Sequence, residues 1–231
     1  MIFEDRRDAG RRLAVPLLRF KGQRPIVLAL PRGGVPVGYE IARALDAPLD
    51  VIVVRKLGAP GQPELGIGAV VDGDHPQSVL NEEVVHELHV SSRFLESEIA
   101  TELAEVHRRQ ALYRGGRPPL AVAGRVVIVV DDGIATGGSM RAALRGIRRA
   151  GPRRLVLAVP VAPPDTIEAL RADVDEVVCL STPAWFGAVG NFYRDFSQTT
   201  DDEVVELLDA ARRASSPAPD AAVPRNDGAP G

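Results

Sequence analysis

The sequence is poor in cysteine, lysine and aromatic residues. Each scarcity excludes a feature or makes the few residues of that type informative. The single cysteine, Cys179, excludes an internal disulfide, and its apolar neighbours predict a buried strand residue rather than a nucleophile. Only Lys21 and Lys56 are lysines among the 28 basic residues, so a lysine at a predicted strand end is conspicuous. Aromatic residues make up 4% of the chain, so any cluster of them needs an explanation.

A strong net charge and long apolar runs are also missing. The formal net charge is -3, which gives no electrostatic reason to expect a nucleic-acid or membrane partner. No apolar stretch approaches the ~20 residues of a membrane span, and the N-terminal residues lack the hydrophobic core of a signal peptide. We therefore expect a cytoplasmic protein with neither partner, and its 45% hydrophobic content is enough for a sizeable core.

The most informative stretch of the chain runs from residue 126 to residue 149. Residues 126–130 are five consecutive β-branched residues, which is typical of a central strand in a parallel sheet covered on both faces. Two carboxylates follow, Asp131 and Asp132, and then a loop of small and hydroxylated residues. Residues 140–149 have the pattern of a helix. Strand, acid pair, loop and helix together predict one ligand site.

The loop of this stretch has the properties of a phosphate site. Free N–H groups at a helix start, with the positive end of the helix dipole behind them, favour an anion. Gly137 and Gly138 let the backbone come close to it, and the hydroxyls of Thr136 and Ser139 can donate further bonds. The two carboxylates are acceptors and suit vicinal hydroxyls nearby. The pattern indicates a sugar phosphate, and the alternative is an ordinary buried strand with a turn and a helix N-cap.

The rest of the chain alternates strands and helices, which predicts an α/β fold with a central, mostly parallel sheet. The predicted helices cover residues 4–18, 37–45, 81–114 with a break near Ser91, 140–149, 164–172 and 201–211. The predicted strands cover residues 26–30, 49–54, 126–130, 155–159 and 176–179. Residues 57–80 are rich in Gly and Pro and predict a loop with short β pieces at 67–71 and 78–80.

Two further strand ends carry residues suited to anions. Arg32, Gly33 and Gly34 follow the first strand and offer a guanidinium with exposed backbone N–H groups, which suits a pyrophosphate. The alternative is a turn that only lets the next helix pack. Arg55 and Lys56 follow the second strand. Since ligands collect at the carboxyl ends of parallel strands, these residues and the acid pair should share one site.

The stretch 126–140 resembles the signature of the type I phosphoribosyltransferases, which bind 5-phosphoribosyl 1-pyrophosphate (PRPP), and the resemblance covers residues 25–200. It implies that fold with a small C-terminal hood, in a domain spanning residues 1–214. The implied PRPP residues are Arg32, Gly33, Gly34, Lys56, Asp131, Asp132, Ala135, Thr136, Gly137, Gly138 and Ser139. Arg32, Lys56 and the acid pair are the implied catalytic residues. Mg²⁺ would be carried by PRPP, with no metal held directly by the protein.

The resemblance also assigns roles to residues 56–80. Lys56 would reach toward the departing pyrophosphate, whereas its alternative is a lysine that only faces solvent at a strand end. Residues 57–80 resemble the flexible lid that closes over the reacting sugar and excludes water. Within this segment Glu64 is a candidate for proton transfer.

Aromatic residues cluster in the segment 181–200, which occupies the place of the family's hood over the acceptor. Trp185, Phe186, Phe192 and Tyr193 are the candidates to stack on a planar base. The alternative is a hydrophobic lock that fixes the C-terminal helix 201–211 on the domain.

The implied reaction is transfer of the phosphoribosyl group from PRPP to a nitrogenous small-molecule acceptor, such as a nucleobase, with release of pyrophosphate, which would place the enzyme in nucleotide metabolism. Ala135 departs from the enzymes specific for 6-oxopurines, which carry an acid at that position. This departure favours the alternative of a non-catalytic PRPP sensor. The helical insert 81–114 matches no enzyme of known acceptor, residues 215–231 are expected to be a disordered tail, and a homodimer is a further expectation.

Overall fold

The computed structural model describes residues 1–73 and 76–215, apart from the side chains of Glu64 and Ser215. The predicted tail and the proton-transfer role of Glu64 lie outside the described residues. The helices are α1 (Arg6–Leu17), α2 (Gly34–Leu45), α3 (Glu82–Glu87), α4 (Ser92–Arg114), α5 (Gly138–Arg149), α6 (Pro164–Leu170) and α7 (Asp201–Ser215). The strands are β1 (Ile26–Ala29), β2 (Leu49–Val51), β3 (Val54–Ala59), β4 (Gln62–Val71), β5 (Gln77–Leu80), β6 (Val126–Val130), β7 (Arg154–Val161) and β8 (Glu176–Ser181).

A five-stranded parallel sheet in the order β2-β1-β6-β7-β8 forms the centre of the molecule. Strand β6 lies in the middle, and all five of its residues are buried. One face of the sheet packs against α1, α2 and α7, and the other packs against α5 and α6. The predicted α/β fold is therefore confirmed, and so is the double-sided burial of the β-branched run.

Residues 54–80 differ from the predicted loop. Strand β2 ends at Val51, and the chain then forms a separate antiparallel sheet of β3, β4 and β5. Leu57 and Ile67 are fully buried in the core that α1, α2 and α7 share. The glycines that predicted a loop serve the sheet instead: a Cβ at Gly68 would lie 2.6 Å from the Val79 carbonyl oxygen on β5. The β pieces predicted at 67–71 and 78–80 lie within β4 and β5. The loop predicted before them is wrong for most of residues 57–66, because those residues pair in the antiparallel sheet, and the lid role of residues 57–80 stays a prediction.

The helical insert breaks where the sequence predicts. Helix α3 ends at Glu87, and the Ser91 hydroxyl accepts a 3.3 Å hydrogen bond from the Phe94 N–H to cap α4. Helix α4 ends at a buried Arg114 whose guanidinium donates to Asp50 at 3.0 Å and pairs with Asp72 at 2.9 Å. Because Asp50 belongs to β2 and Asp72 follows β4, this ion cluster joins both sheets to the insert. In the part of the chain that the structure describes, no helix is long and apolar enough to cross a membrane.

Candidate active site

The loops after β1 and β6 meet at the carboxyl edge of the parallel sheet. The two strands are neighbours with Ala29 opposite Val130, and the Leu30 N–H donates to the Val130 carbonyl at 2.9 Å. A Cβ on Gly34 would lie 2.8 Å from the same carbonyl oxygen, and a Cβ on Gly33 would lie 2.0 Å from Oδ2 of Asp132. Any side chain at either glycine would collide with the acid pair or its strand, so both glycines are needed for this approach.

Arg32 lies in the turn before α2 and is half-buried, and the peptide bond that joins it to Pro31 is cis. Helix α2 starts at Gly34, three residues earlier than the sequence pattern predicts. Two N–H groups of its first turn already have backbone partners, because Gly34 donates to the Leu30 carbonyl at 3.0 Å and Val35 donates to the Arg32 carbonyl at 3.1 Å. The third residue, Pro36, has no N–H, so the side chain of Arg32 is the main anion-binding group of this turn. The structure brings the predicted pyrophosphate loop and the predicted sugar site together.

The acid pair is held in an environment that opposes a second negative charge. Asp131 Oδ1 accepts a 2.9 Å hydrogen bond from the N–H of Asp132. Burial raises the pKa of Asp131 well above its ordinary range, and the neighbouring charge of Asp132 raises it further. Burial also raises the pKa of Asp132, but Arg6 opposes that rise. The two carboxylates are adjacent in sequence but unlike in their surroundings.

Arg6 is a site residue that sequence analysis missed. Its Nε lies 2.7 Å from Oδ2 of Asp132, and its Nη1 donates to the carbonyl of Ser197 at 2.6 Å. Its guanidinium also lies 4.0 Å from the ring centroid of Phe196. In the sequence Arg6 is one of several arginines on an amphipathic helix, so no local signal separates it from the others.

The predicted phosphate loop lies on the surface at the start of α5. Gly137 caps the helix with a left-handed φ of 79°, a conformation that favours glycine, and Gly138 is exposed with open space around it. Ala135 and Thr136 are exposed and Ser139 is half-buried. The hydroxyl of Thr166 donates to the Ala135 carbonyl at 2.8 Å and fixes the loop to α6. The first N–H groups of α5 face solvent and can receive an anion.

Lys56 lies on the antiparallel sheet, paired with Ala69 on β4, and not at the end of a parallel strand as predicted. The exposed lysine lines a cleft of about 750 Å³ between that sheet and the start of α5. Gly138, Arg141 and Arg145 form the opposite wall. The structure therefore brings Lys56 to the helix that carries the phosphate loop. Its neighbour Arg55 forms a 2.6 Å ion pair with Glu102 of α4.

The aromatic residues of the predicted hood are mostly packed against one another. Phe192 and Tyr193 are buried in a cluster with Phe3, and Phe186 packs against that cluster. Trp185 is 93% exposed. The prediction that Phe192 and Tyr193 stack on an acceptor is wrong for this arrangement, because their rings are covered by the protein.

The lock alternative describes the hood better, but its partner differs from the prediction. The cluster fixes the N-terminal segment at Phe3, whereas α7 packs mainly on α2, α4 and β2. The hydroxyl of Tyr193 donates a 2.5 Å hydrogen bond to the carbonyl of Asp132, so the same cluster supports the acid pair.

The comparisons with known proteins agree with this geometry. The model of the phosphoribosyl transferase domain family matches residues 3–197. A Mycobacterium tuberculosis protein named "Putative phosphoribosyl transferase Rv0571c" is 49% identical over 212 residues, which are 92% of this chain and 47% of that protein. The chain thus spans about half the length of this curated relative.

Among solved structures, the crystal structure of TT1426 from Thermus thermophilus is 47% identical to the chain, with a TM-score of 0.80. The match covers 90% of this chain and 98% of TT1426. It extends the agreement from the sequence to the fold. From the family match over residues 3–197, the sheet topology and the strand-end loops, the chain belongs to the phosphoribosyl transferase domain family.

Proposed function

We propose that the protein binds PRPP and transfers its phosphoribosyl group to a nitrogenous acceptor, releasing pyrophosphate. The observation that carries the proposal is the meeting, at one sheet edge, of an acid pair, the Arg32 turn and the start of α5, with Lys56 across a cleft from that helix. Each part matches a different portion of PRPP. Only the phosphate groups need the cationic side chains and the helix start, and only the sugar hydroxyls need carboxylate acceptors.

The parts are assigned as follows. The 5-phosphate binds at residues 135–139, where the first N–H groups of α5 are exposed. The ribose hydroxyls donate to Asp131 and Asp132. The pyrophosphate binds beside the guanidinium of Arg32, in the turn that Gly33 and Gly34 bring close to the acid pair. Catalysis then rests on holding the sugar and stabilising the leaving group.

Mg²⁺ fits this arrangement as part of the ligand. Among the described side chains, which exclude that of Glu64, no cluster of three or more His, Cys, Asp or Glu is arranged to hold a metal ion. One of the two site carboxylates is paired with Arg6, whose charge would repel a cation bound there. The ion would be held by pyrophosphate and ribose oxygens, keep several waters and offset the charge of the leaving group.

The first experiment incubates the protein with PRPP, Mg²⁺ and a panel of bases and amines while pyrophosphate release is followed. Release with one acceptor, and none without protein, supports the transferase. A protein that does not bind Mg·PRPP in a calorimetric titration contradicts the proposal.

A PRPP sensor is the second candidate function, and two observations favour it. The position that carries an acid in the 6-oxopurine enzymes is Ala135, and the rings of Phe192 and Tyr193 are covered. Tight Mg·PRPP binding with no turnover across the panel would favour the sensor. A location in the cytoplasm and a place in nucleotide metabolism remain predictions for either function.

Lys56 separates the two candidates. If it stabilises the departing pyrophosphate, Lys56→Ala should lower kcat by about 10²-fold or more with little change in PRPP affinity, because the charge it meets grows in the transition state. Lys21→Ala is the matched control, since Lys21 pairs with Asp46 at 2.8 Å on the surface. Equal losses of affinity and turnover at Lys56 would mean ground-state binding alone.

A further inference from the structure

The N-terminal segment is built into the edge of the proposed site. The N–H of Phe3 donates to the Phe192 carbonyl at 2.8 Å, and the N–H of Arg194 donates to the Phe3 carbonyl at 2.9 Å. The Phe3 side chain is fully buried in the aromatic cluster. These bonds place the first turn of α1, and with it Arg6, directly over the loop that follows β6.

Arg6 itself is held from three sides. Its Nε donates to Asp132, its Nη1 donates to the carbonyl of Ser197, and the ring of Phe196 lies against the flat face of the guanidinium. The side chains of the ion pair are only 12% and 14% exposed. A pair on the open surface would be screened by solvent and loosely oriented, whereas this one is fixed in direction and poorly screened.

The ion pair uses one side of the Asp132 carboxylate. Oδ2 contacts Arg6 and lies beside Gly33, while a carboxylate offers two oxygens and about four lone-pair positions. Oδ1 therefore keeps its capacity to accept a hydroxyl. Arg6 fixes the rotation of the carboxylate and so decides where that free oxygen lies.

We propose that Arg6 is a positioning residue of the sugar site, which holds the Asp132 carboxylate in one orientation, paired with a positive charge, for a ribose hydroxyl of PRPP. The inference rests on the proposed function and names a residue outside the loops of the family signature. It also gives the N-terminal segment a role in ligand binding, because its pairing with residues 192–195 determines where Arg6 lies.

The charges around Asp132 explain why a cation is needed there. Burial raises the pKa of Asp132 and so opposes its ionisation, and the charge of Asp132 in turn raises the pKa of the adjacent Asp131. Tyr193 contributes a neutral hydroxyl, because burial raises the pKa of its phenol. From α1, Arg6 supplies the positive charge that lowers the pKa of Asp132 against the effect of burial. Without it, two buried carboxylates would face each other with no counter-ion in contact.

The test is a double-mutant cycle on Mg·PRPP binding, measured by calorimetry in the full chain. Arg6→Gln should weaken binding by about 10-fold or more at pH ~7.5, and it should have little further effect in the Asp132→Asn background, since its action passes through that carboxylate. Arg6→Lys should retain part of the affinity because it keeps the charge but loses the planar fork. Arg11→Gln is the matched control on α1, because the ion pairs of Arg11 are long, at 3.9 and 4.0 Å.

Two further measurements separate positioning from other roles. Mg·pyrophosphate binding should be unchanged in Arg6→Gln; a loss equal to that for Mg·PRPP would make Arg6 a direct phosphate ligand and overturn the proposal. The fold-loss of Mg·PRPP affinity in Arg6→Gln, relative to the wild type, should be larger at pH ~5.5 than at pH ~8.5. Removing Arg6 raises the pKa of Asp132, so in the variant this carboxylate is protonated to a greater extent at pH ~5.5. A fold-loss that is constant with pH would leave only a structural role and would also overturn it.

If Arg6→Gln does not fold, Arg6→Lys replaces it in the double-mutant cycle. Losses of Mg·PRPP affinity for Arg6→Lys and Asp132→Asn that simply add in the double variant would contradict the proposal. Failure of the proposed function has a different signature, since the wild-type protein would then not bind Mg·PRPP at all.

Discussion

The loop that follows β6 and the hood meet at Asp132, but they differ in how exposed their side chains are. At the end of β6, backbone and short side chains leave polar groups exposed, with the phosphate loop open to solvent. In the hood, the rings of Phe186, Phe192 and Tyr193 pack in a cluster with Phe3, and Trp185 remains exposed. In the proposed function the first region binds the ligand, whereas the second contributes stability and determines the position of Arg6. Substitutions in the two regions should separate these properties, which makes the division testable.

The largest effect is expected at the buried end of the comparison. Phe3→Ala should lower the free energy of unfolding by about 3–5 kcal/mol, because a fully buried ring leaves a cavity in the aromatic cluster. Urea denaturation measures the loss. Phe3→Leu is the control and should cost less than about 1.5 kcal/mol, since it keeps most of the apolar volume. A loss below about 1 kcal/mol in Phe3→Ala would mean that the cluster does not anchor the N-terminus.

The second effect belongs to the polar region. Asp131→Asn combined with Asp132→Asn should weaken Mg·PRPP binding by about 3 kcal/mol or more, because two charge-assisted hydrogen bonds to the sugar are lost. Calorimetric titration gives the change, with the thermal transition as a check that the variant is folded. Asp46→Asn and Asp209→Asn, whose side chains are 75% and 39% exposed and lie away from the proposed site, serve as the control pair. Unchanged affinity in the folded variant would remove the sugar site from this position.

A third and smaller effect concerns stability at the same acid pair. A carboxyl whose pKa is raised by folding binds more protons in the native state, so its stability contribution falls as pH rises above its ordinary value of 3.8. Asp131→Asn should therefore stabilise the free protein by about 1 kcal/mol at pH ~8, within the range of single substitutions. The gain in stability should disappear near pH ~3, because the Asp131 carboxyl is then largely protonated in the folded and the unfolded protein and is as neutral as the asparagine. Denaturation at the two pH values checks this, and a destabilised variant at the higher pH would contradict the assigned cost of the buried charge.

The stretch 126–149 was predictable because its signals are local. A run of β-branched residues fixes the strand, the acids mark its end, and Gly137 supplies the left-handed helix cap, all within one segment of the chain. The side-chain pattern of a strand and the capping signals of a helix are sufficient to predict such a segment.

The sites of Arg6 and Lys56 could not be predicted in the same way. Arg6 meets Asp132 across 126 positions of sequence, through a pairing of Phe3 with the hood that leaves no local pattern. Lys56 was misplaced because Gly66 and Gly68 in β4 have the composition of a loop. For Gly68 the reason is the close approach of β5, which only the folded sheet reveals.

The smallest effect is expected at Trp185, the hood aromatic that lies open to solvent. Its 93% exposure predicts that Trp185→Ala changes the free energy of unfolding by less than about 0.5 kcal/mol, in contrast to Phe192→Ala in the same segment. Since the chain has a single tryptophan, its fluorescence reports directly on this side chain. Addition of Mg·PRPP and each acceptor of the panel should leave the emission close to that of a solvated indole if the ring takes no part in binding. A large change with one acceptor, together with a higher KM in Trp185→Ala, would show that this part of the hood closes on the acceptor and would move it to the ligand-binding side of the comparison.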